Sequence, residues 1–329
     1  MRFRSCLRLF THLQMLPILE SGEETTLVGG QAVMEGVMMR APHSYCVAVR
    51  KPSGEIVTEE LPIARMSEKY PWLKYPVLRG LGTLVQAMQL GVRALKFSAT
   101  AALDDGKEAT EGQKPTEIPA WMMTVQVVFS VLFFLVLYKL VPLKLTEYAS
   151  HRFPAIQGQI LFNAVDGLIR LVIFVGFLLA LSMTKDIRRV FEYHGAEHKV
   201  VFNFESGQAV NVENAQKFVT FHPRCGTSFM FVIMLISMFC YMLIPAPTFA
   251  AKLAERVILL PIITGLSYEL IRFAAKQRGS FLALLTAPGL WTQRITTKAP
   301  SDEQAAVAIH ALNGAMALEA KQGGELVIA

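Results

Sequence analysis

The feature that most constrains the fold is a series of long apolar runs in the second half of the chain. Four stretches, 120–141, 160–183, 226–244 and 253–273, come close to the about 20 apolar residues that a helix needs to cross a bilayer. The whole chain is 53% hydrophobic and only 18% charged, which excludes an ordinary soluble protein. We therefore predict a mainly α-helical integral membrane protein with about four transmembrane helices.

The remaining segments differ in character. The runs 44–50 and 55–61 flank Lys51-Pro52-Ser53-Gly54, a sequence typical of a hairpin turn, and together they predict a small β element. Apolar residues at helical spacing from 76 to 103 predict an amphipathic helix with basic edges that lies on the membrane. The predicted boundaries are 1–26 for an N-terminal basic segment, 27–62 for the β element, 63–118 for the amphipathic helix and a polar linker, 119–184 for transmembrane helices 1 and 2, 185–225 for a cytosolic loop, 226–273 for transmembrane helices 3 and 4, and 274–329 for a cytosolic tail with a short helix at 303–312.

The distribution of basic residues predicts the orientation. The loop 185–225 contains six lysines and arginines, whereas the segment between the first two apolar runs contains two, and basic residues favour the cytoplasmic side. We therefore expect a multi-pass protein of the inner (plasma) membrane with both termini in the cytoplasm. The net charge of +6 then reflects cytoplasmic loops near lipid headgroups, so the lipid bilayer is the expected partner. The sequence contains no nucleic-acid-binding motif, and none of its four cysteines forms a Cys-x-x-Cys pair.

Two histidines in the cytosolic loop predict a metal site. His194 and His198 are four residues apart, so they lie on one face of a helix, and neutral imidazoles in that arrangement can bind one divalent metal. With Glu197 they form a His-x-x-Glu-His pattern, which resembles that of one class of zinc peptidases, the inverzincins. His222 and Cys225 follow in the same loop and supply a further imidazole and a thiol. We predict that these residues bind a divalent metal, with zinc as the first choice. The alternative is that they are ordinary polar residues on a solvated helix face.

The role of each remaining candidate is open at this stage. Glu197 is predicted to act as a general base, because a carboxylate beside a metal can accept a proton from water. His222 and Cys225 would close a four-ligand site, which is usually structural, whereas three protein ligands are typical of a catalytic one. Glu205 and Glu269 are candidate downstream ligands, although Glu269 could instead pair with Arg272 on its own helix. Cys225 could also be a nucleophile with His222 as its base.

Three long motifs resemble those of the YqhQ-like family, bacterial membrane proteins that carry a domain of unknown function and are described as predicted metal-dependent enzymes. The motifs are GGQAVMEGVMMR at 29–40, YHGAEHK at 193–199 and HPRCGTSF at 222–229, and PGLWTQ at 288–293 with the threonines at 296 and 297 adds a fourth. The resemblance covers 28–312 and implies a multi-span membrane protein. It marks as motif positions Glu35, Arg40, His194, Glu197, His198, His222 and Cys225.

These patterns predict a membrane-embedded, cytoplasm-facing metal-binding protein that hydrolyses an amide or ester bond of an unknown substrate. One alternative is a non-catalytic membrane scaffold whose metal only orders the loop. The other is a transporter or channel, for which charged residues within the apolar runs would have to line one path. These residues are Asp166, Arg170, Glu269 and Arg272.

Overall fold

A computed structural model describes residues 28–64, 66–103, 120–222, 225–276 and 281–321. The basic segment 1–26 and the polar linker 104–117 lie outside these residues, as do Pro223 and Arg224 of the third motif.

The N-terminal β element is a four-stranded antiparallel sheet in the order β1-β2-β3-β4. The strands are β1 Gly29–Val33, β2 Gly36–Arg40, β3 Ser44–Arg50 and β4 Ile56–Pro62. The predicted hairpin turn joins β3 to β4. Gly54 takes a φ of 90° there, a backbone conformation that favours glycine. Because side chains alternate between the faces of a strand, this small sheet can bury apolar residues on both of its sides.

The described helices follow one another through the rest of the chain. They are α1 Met66–Lys69, α2 Leu78–Leu103, α3 Ala120–Leu135, α4 Val141–Arg152, α5 Gln159–Ser182, α6 Lys185–Glu205, α7 Val212–Lys217, α8 Gly226–Leu243, α9 Phe249–Ile258, α10 Leu260–Lys276, α11 Phe281–Thr296 and α12 Asp302–Lys321. A π-helical turn, Val136–Leu140, makes α3 and α4 continuous, and 3₁₀ turns occupy Pro71–Lys74 and Pro154–Gln157.

Three of the four predicted spans are long and apolar helices. They are Val125–Arg152, which combines α3, the π turn and α4, then α5, and then α8. Within the described residues no fourth helix is both long and apolar enough, because the predicted span 253–273 is interrupted at Leu259, between the 10-residue α9 and the 17-residue α10. Charged residues in α9 lower its hydropathy, and one of them, Arg256, is fully buried in the protein.

The sheet is packed between helices that the chain supplies from distant positions. One face, including Val37 and Ala48, packs against Ala196 of α6 and Ala308 of α12 in one apolar cluster. The opposite face packs against α2 through Leu90 and its neighbours. The segment predicted as a cytosolic loop contains the 21-residue helix α6, whose C-terminal half is buried, and the predicted tail helix extends to 20 residues as α12. This layered domain holds the histidine pair at the end of the helical bundle.

Candidate metal centre

Helix α6 aligns its two histidines as the four-residue spacing predicts. The ring centroids of His194 and His198 are 4.4 Å apart. Nδ1 of His194 lies 2.8 Å from the carbonyl oxygen of Thr296, and Nδ1 of His198 lies 2.5 Å from that of Thr220. A carbonyl oxygen can only accept, so each Nδ1 carries the proton and donates it. In the neutral ring Nε2 then keeps the lone pair, which is the tautomer that a metal-ligating histidine with a carbonyl partner adopts.

Cys225 completes a compact group with these nitrogens. It precedes α8 as its N-cap residue, and its Sγ lies 3.3 Å from Nε2 of His194. The ligand atoms of His194, His198 and Cys225 all lie within 4.8 Å of one another. At zinc–nitrogen and zinc–sulfur bond lengths of about 2.0–2.3 Å, two ligands of a tetrahedral ion are roughly 3.4–3.7 Å apart. The donor set and its spacing therefore fit zinc with only small shifts of the side chains.

Glu197 lies beside the two imidazoles. Its Oε2 is 3.8 Å from Nε2 of His194 and also 3.8 Å from Nε2 of His198, and the residue is only 6% exposed. Strand β1 makes room for this carboxylate, because a Cβ on Gly30 would lie 2.6 Å from Cγ of Glu197. The side chain is therefore confined between the sheet and the Nε2 atoms of the two histidines.

His222 lies behind His198, outside the three-residue group. Its ring centroid is 5.6 Å from that of His198, and its Nε2 is 3.5 Å from Oε2 of Glu205. Gln293 holds the backbone of His222 at both ends, accepting from its N–H and donating to its carbonyl. Burial lowers the pKa of His222 to about 4, while the charge of Glu197 acts in the opposite direction. Burial likewise lowers the pKa of His198, which favours the neutral imidazole that a metal needs.

Helix α6 also brings the C-terminal segment to the site. The chain crosses α6 at Gly195, where a Cβ would collide with the carbonyl oxygen of Lys298. The N–H of Lys298 donates to the carbonyl of Phe191 at 2.9 Å. This close crossing places the Thr296 carbonyl on Nδ1 of His194.

The other predicted candidates lie elsewhere. Glu35 forms an ion pair with Arg189 of α6, and Arg40 donates to Gln86 of α2 at 2.5 Å. Glu269 is bound by Arg79, with Nε of the arginine 2.6 Å from Oε1 of the glutamate.

The histidine spacing did not reveal the residues that support the site. They are Gly30, Gly195, Thr220, Gln293 and Thr296. Gln293 and Thr296 belong to the PGLWTQ motif region, so the sequence marked this segment, but it did not indicate what these two residues do.

The arrangement can hold a metal and handle a proton. Two neutral imidazoles and a thiolate would suit zinc, and three protein ligands are the number typical of catalytic zinc sites. The carboxylate of Glu197, 3.8 Å from both Nε2 atoms, would be close enough to a metal held by these residues to accept a proton from water.

The comparisons with known proteins agree with the motif evidence. Residues 75–318 match the family model described as protein of unknown function (DUF1385). The chain is 38% identical over 298 residues to the uncharacterized protein YqhQ of Bacillus subtilis (strain 168), covering 89% of this chain and 93% of that protein. No solved structure matches. The chain therefore belongs to the YqhQ-like family of proteins of unknown function, DUF1385.

Proposed function

We propose that this protein is a membrane-embedded zinc hydrolase whose centre faces the cytoplasm. The observation that carries the proposal is the convergence of one ligand atom each from His194, His198 and Cys225 within 4.8 Å, with both Nδ1 atoms donating to backbone carbonyls. A histidine pair on a merely solvated helix face has no need of such orientation, and His198 is 2% exposed. Three protein ligands favour a catalytic site over a closed structural one.

The roles follow from position. His194, His198 and Cys225 hold the metal, which supplies a Lewis acid when bound. Glu197, 3.8 Å from both Nε2 atoms, accepts the proton of the attacking water and returns it to the leaving group. The carbonyls of Thr296 and Thr220 keep the imidazoles in the ligating tautomer. The substrate is an amide or ester that reaches the membrane surface.

The proposed topology has four crossings. In this topology the sheet, α6 and α12 lie on the same side of the membrane, a proposal supported by the one apolar cluster that their residues share. The chain must then cross an even number of times between α6 and α12, and α8 supplies one crossing. We assign the return to α9 and α10, because Arg256 of α9 contacts Asp166 within α5 while Glu269 of α10 reaches α2 beside the sheet. The six basic residues of 185–225 favour the cytoplasm for this side.

Metal content tests the centre directly. Elemental analysis of the purified full chain in detergent should give about one zinc per chain. Each of His194→Ala, His198→Ala and Cys225→Ala should lose most of it, because two remaining ligands bind weakly. His310→Ala is the matched control, since His310 is exposed on α12. A metal-free wild type, under conditions in which a control metalloprotein keeps its zinc, would refute the proposal.

Glu197→Gln separates the base from the ligands. The variant should retain zinc and lose at least 100-fold in hydrolysis of a chromogenic ester, in line with the about 10²–10⁴-fold contribution of a general base. Loss of zinc together with activity would instead make Glu197 a ligand.

One further observation favours a second candidate, a thiol hydrolase without metal. Sγ of Cys225 is 3.3 Å from Nε2 of His194, the separation of a nucleophile and its base, and Thr296 orients that base. The sequence had paired Cys225 with His222, but His194 is the imidazole in contact with the thiol. Activity that survives a chelator and is abolished by alkylation of Cys225 would select this candidate over the zinc enzyme.

A further inference from the structure

A second polar cluster lies among the apolar helices, away from the metal centre. The ring of Tyr241 in α8 is surrounded by three buried cations. Its centroid is 4.8 Å from the guanidinium carbon of Arg256, 5.4 Å from that of Arg170, and 5.7 Å from Nζ of Lys139. None of the three cations is more than 7% exposed. Elements from four parts of the chain, the π turn, α5, α8 and α9, thus bring positive charge to one place.

The carboxylates in this cluster do not balance the cations. Asp166 is fully buried and forms ion pairs with both Arg170 and Arg256. Glu255 reaches Arg256 at 3.9 Å. Three cations therefore face two carboxylates. The nearby Lys252 is neutralised by Glu147 at 3.4 Å and does not alter the balance.

The other hydrogen-bond partners of the three cations are neutral groups, which do not offset the positive charge. Ser237 accepts from Arg170 at 2.7 Å, Asn163 accepts from Arg256 at 3.0 Å, and the Tyr241 hydroxyl is 3.3 Å from Nζ of Lys139. Hydrogen bonds spread charge but do not remove it. Among the described residues, four buried atoms of this cluster have no hydrogen-bond partner: the Nε donors of Arg170 and Arg256, and the acceptors Oδ1 of Asp166 and Oε1 of Glu255. Both arginines thus present an unused donor in a region where an unpaired group is costly.

A surplus charge on a lysine within a membrane-spanning bundle is removed either by loss of the proton or by a counterion. Water and salt cannot screen it there, and a buried ion without a partner costs several kcal/mol. Charged residues at membrane depth usually mark ion or substrate sites. The π-helical turn that carries Lys139 is a second such sign, since π turns occur frequently at functional sites.

We propose that the cluster around Tyr241 binds one small monovalent anion such as chloride. Lys139 supplies the unbalanced charge, and the free Nε donors of Arg170 and Arg256 supply hydrogen bonds. The site is independent of the zinc centre. It would make the four-helix packing around Tyr241 depend on the anion, and it would give the transporter alternative a defined ligand.

Binding of radiolabelled chloride to the full chain in detergent tests the proposal, with gluconate keeping the ionic strength constant. We expect saturable binding of about one chloride per chain and a thermal midpoint that rises with chloride over the same range. Lys139→Met should abolish both effects, because the cluster becomes neutral. Lys144→Met is the matched control, an exposed lysine close to it in sequence, and it should bind chloride as the wild type does.

Two results would overturn the proposal. One is a wild type that binds no chloride and melts identically in chloride and gluconate, which needs no variant to be folded. The other is undiminished chloride binding by Lys139→Met.

Discussion

At the scale of the residue, His222 predicts how stability depends on pH. Its pKa is about 4 in the folded chain, because of burial, against an ordinary value of about 6.5 when unfolded. Between these values the unfolded chain binds the proton and the folded chain does not, so stability falls as the pH falls from about 6.5 to 4. The loss is about 3 kcal/mol at roughly 1.4 kcal/mol per pKa unit.

His222→Gln isolates this contribution. Chelated protein in detergent should be less stable at pH 8 after the substitution, yet lose less stability than the wild type on going to pH 5. Burial lowers the pKa of His198 too, so some slope should remain. Equal slopes in the two proteins would show that His222 titrates normally in the fold.

The sequence predicted which residues form the candidate site better than it predicted what those residues contact. The four-residue spacing fixes that His194 and His198 share a helix face, since this depends on local geometry alone. It says nothing about which nitrogen faces inward, because that depends on carbonyls contributed by residues 220 and 296. For the same reason the sequence suggested His222, a close neighbour in sequence, as the base for Cys225, whereas the structure shows that His194 is the imidazole in contact with the thiol.

At the scale of the element, the crossing at Gly195 should control the metal centre without contributing a ligand. A Cβ there would meet the Lys298 carbonyl, so Gly195→Ala must push residues 296–298 away from α6 and withdraw the Thr296 carbonyl from His194. Loss of such a partner typically lowers metal affinity about 10–100-fold. A zinc titration should show this, and Gly176→Ala, which has open space around its Cβ, should leave affinity unchanged.

In contrast to the crossing at Gly195, the ion pair between α2 and α10 should not affect metal binding. Arg79 and Glu269 are 30% and 23% exposed, so the pair should contribute only about 1 kcal/mol. A double-mutant cycle with Arg79→Met and Glu269→Gln measures that coupling. All three variants should keep their zinc, because Glu269 is engaged by α2. Loss of zinc on Glu269→Gln alone would return this residue to the ligand shell.

The sequence predicted helices and strands correctly where a local pattern determines them, and incorrectly where packing against distant residues determines their bounds. The hairpin at 51–54 follows from its turn residues, and the runs in α5 and α8 follow from length and hydropathy. The run 253–273 divides at Leu259, and Arg256 in its first half is buried in an ion pair with Asp166, a partner from another helix that no window of sequence contains. Helix α12 exceeds its predicted 10 residues because its alanines pack on the sheet and on α6, which extends a helix of low amphipathicity.

At the scale of the whole molecule, a shared core and a membrane together constrain topology. Residues near both ends of the described chain, such as Val37 and Ala308, lie in the cluster that also contains Ala196 of α6. A cluster of that kind cannot straddle a bilayer. An odd number of crossings between α6 and α12 would pull it apart, which is why the proposed topology adds one return to the three apolar helices.

Single cysteines at three exposed positions, and at the partly exposed Ala246, test this arrangement. Ala155 follows the first span and Ala246 follows α8, whereas Gln208 follows α6 and Asn313 lies on α12. In intact cells a membrane-impermeant maleimide should label Ala155→Cys and Ala246→Cys above the background of the parent protein. Gln208→Cys and Asn313→Cys should react only after the membrane is permeabilised. Labelling of Asn313→Cys but not Gln208→Cys from outside would leave three crossings and would also contradict the common core, since α6 and α12 would then lie on opposite sides.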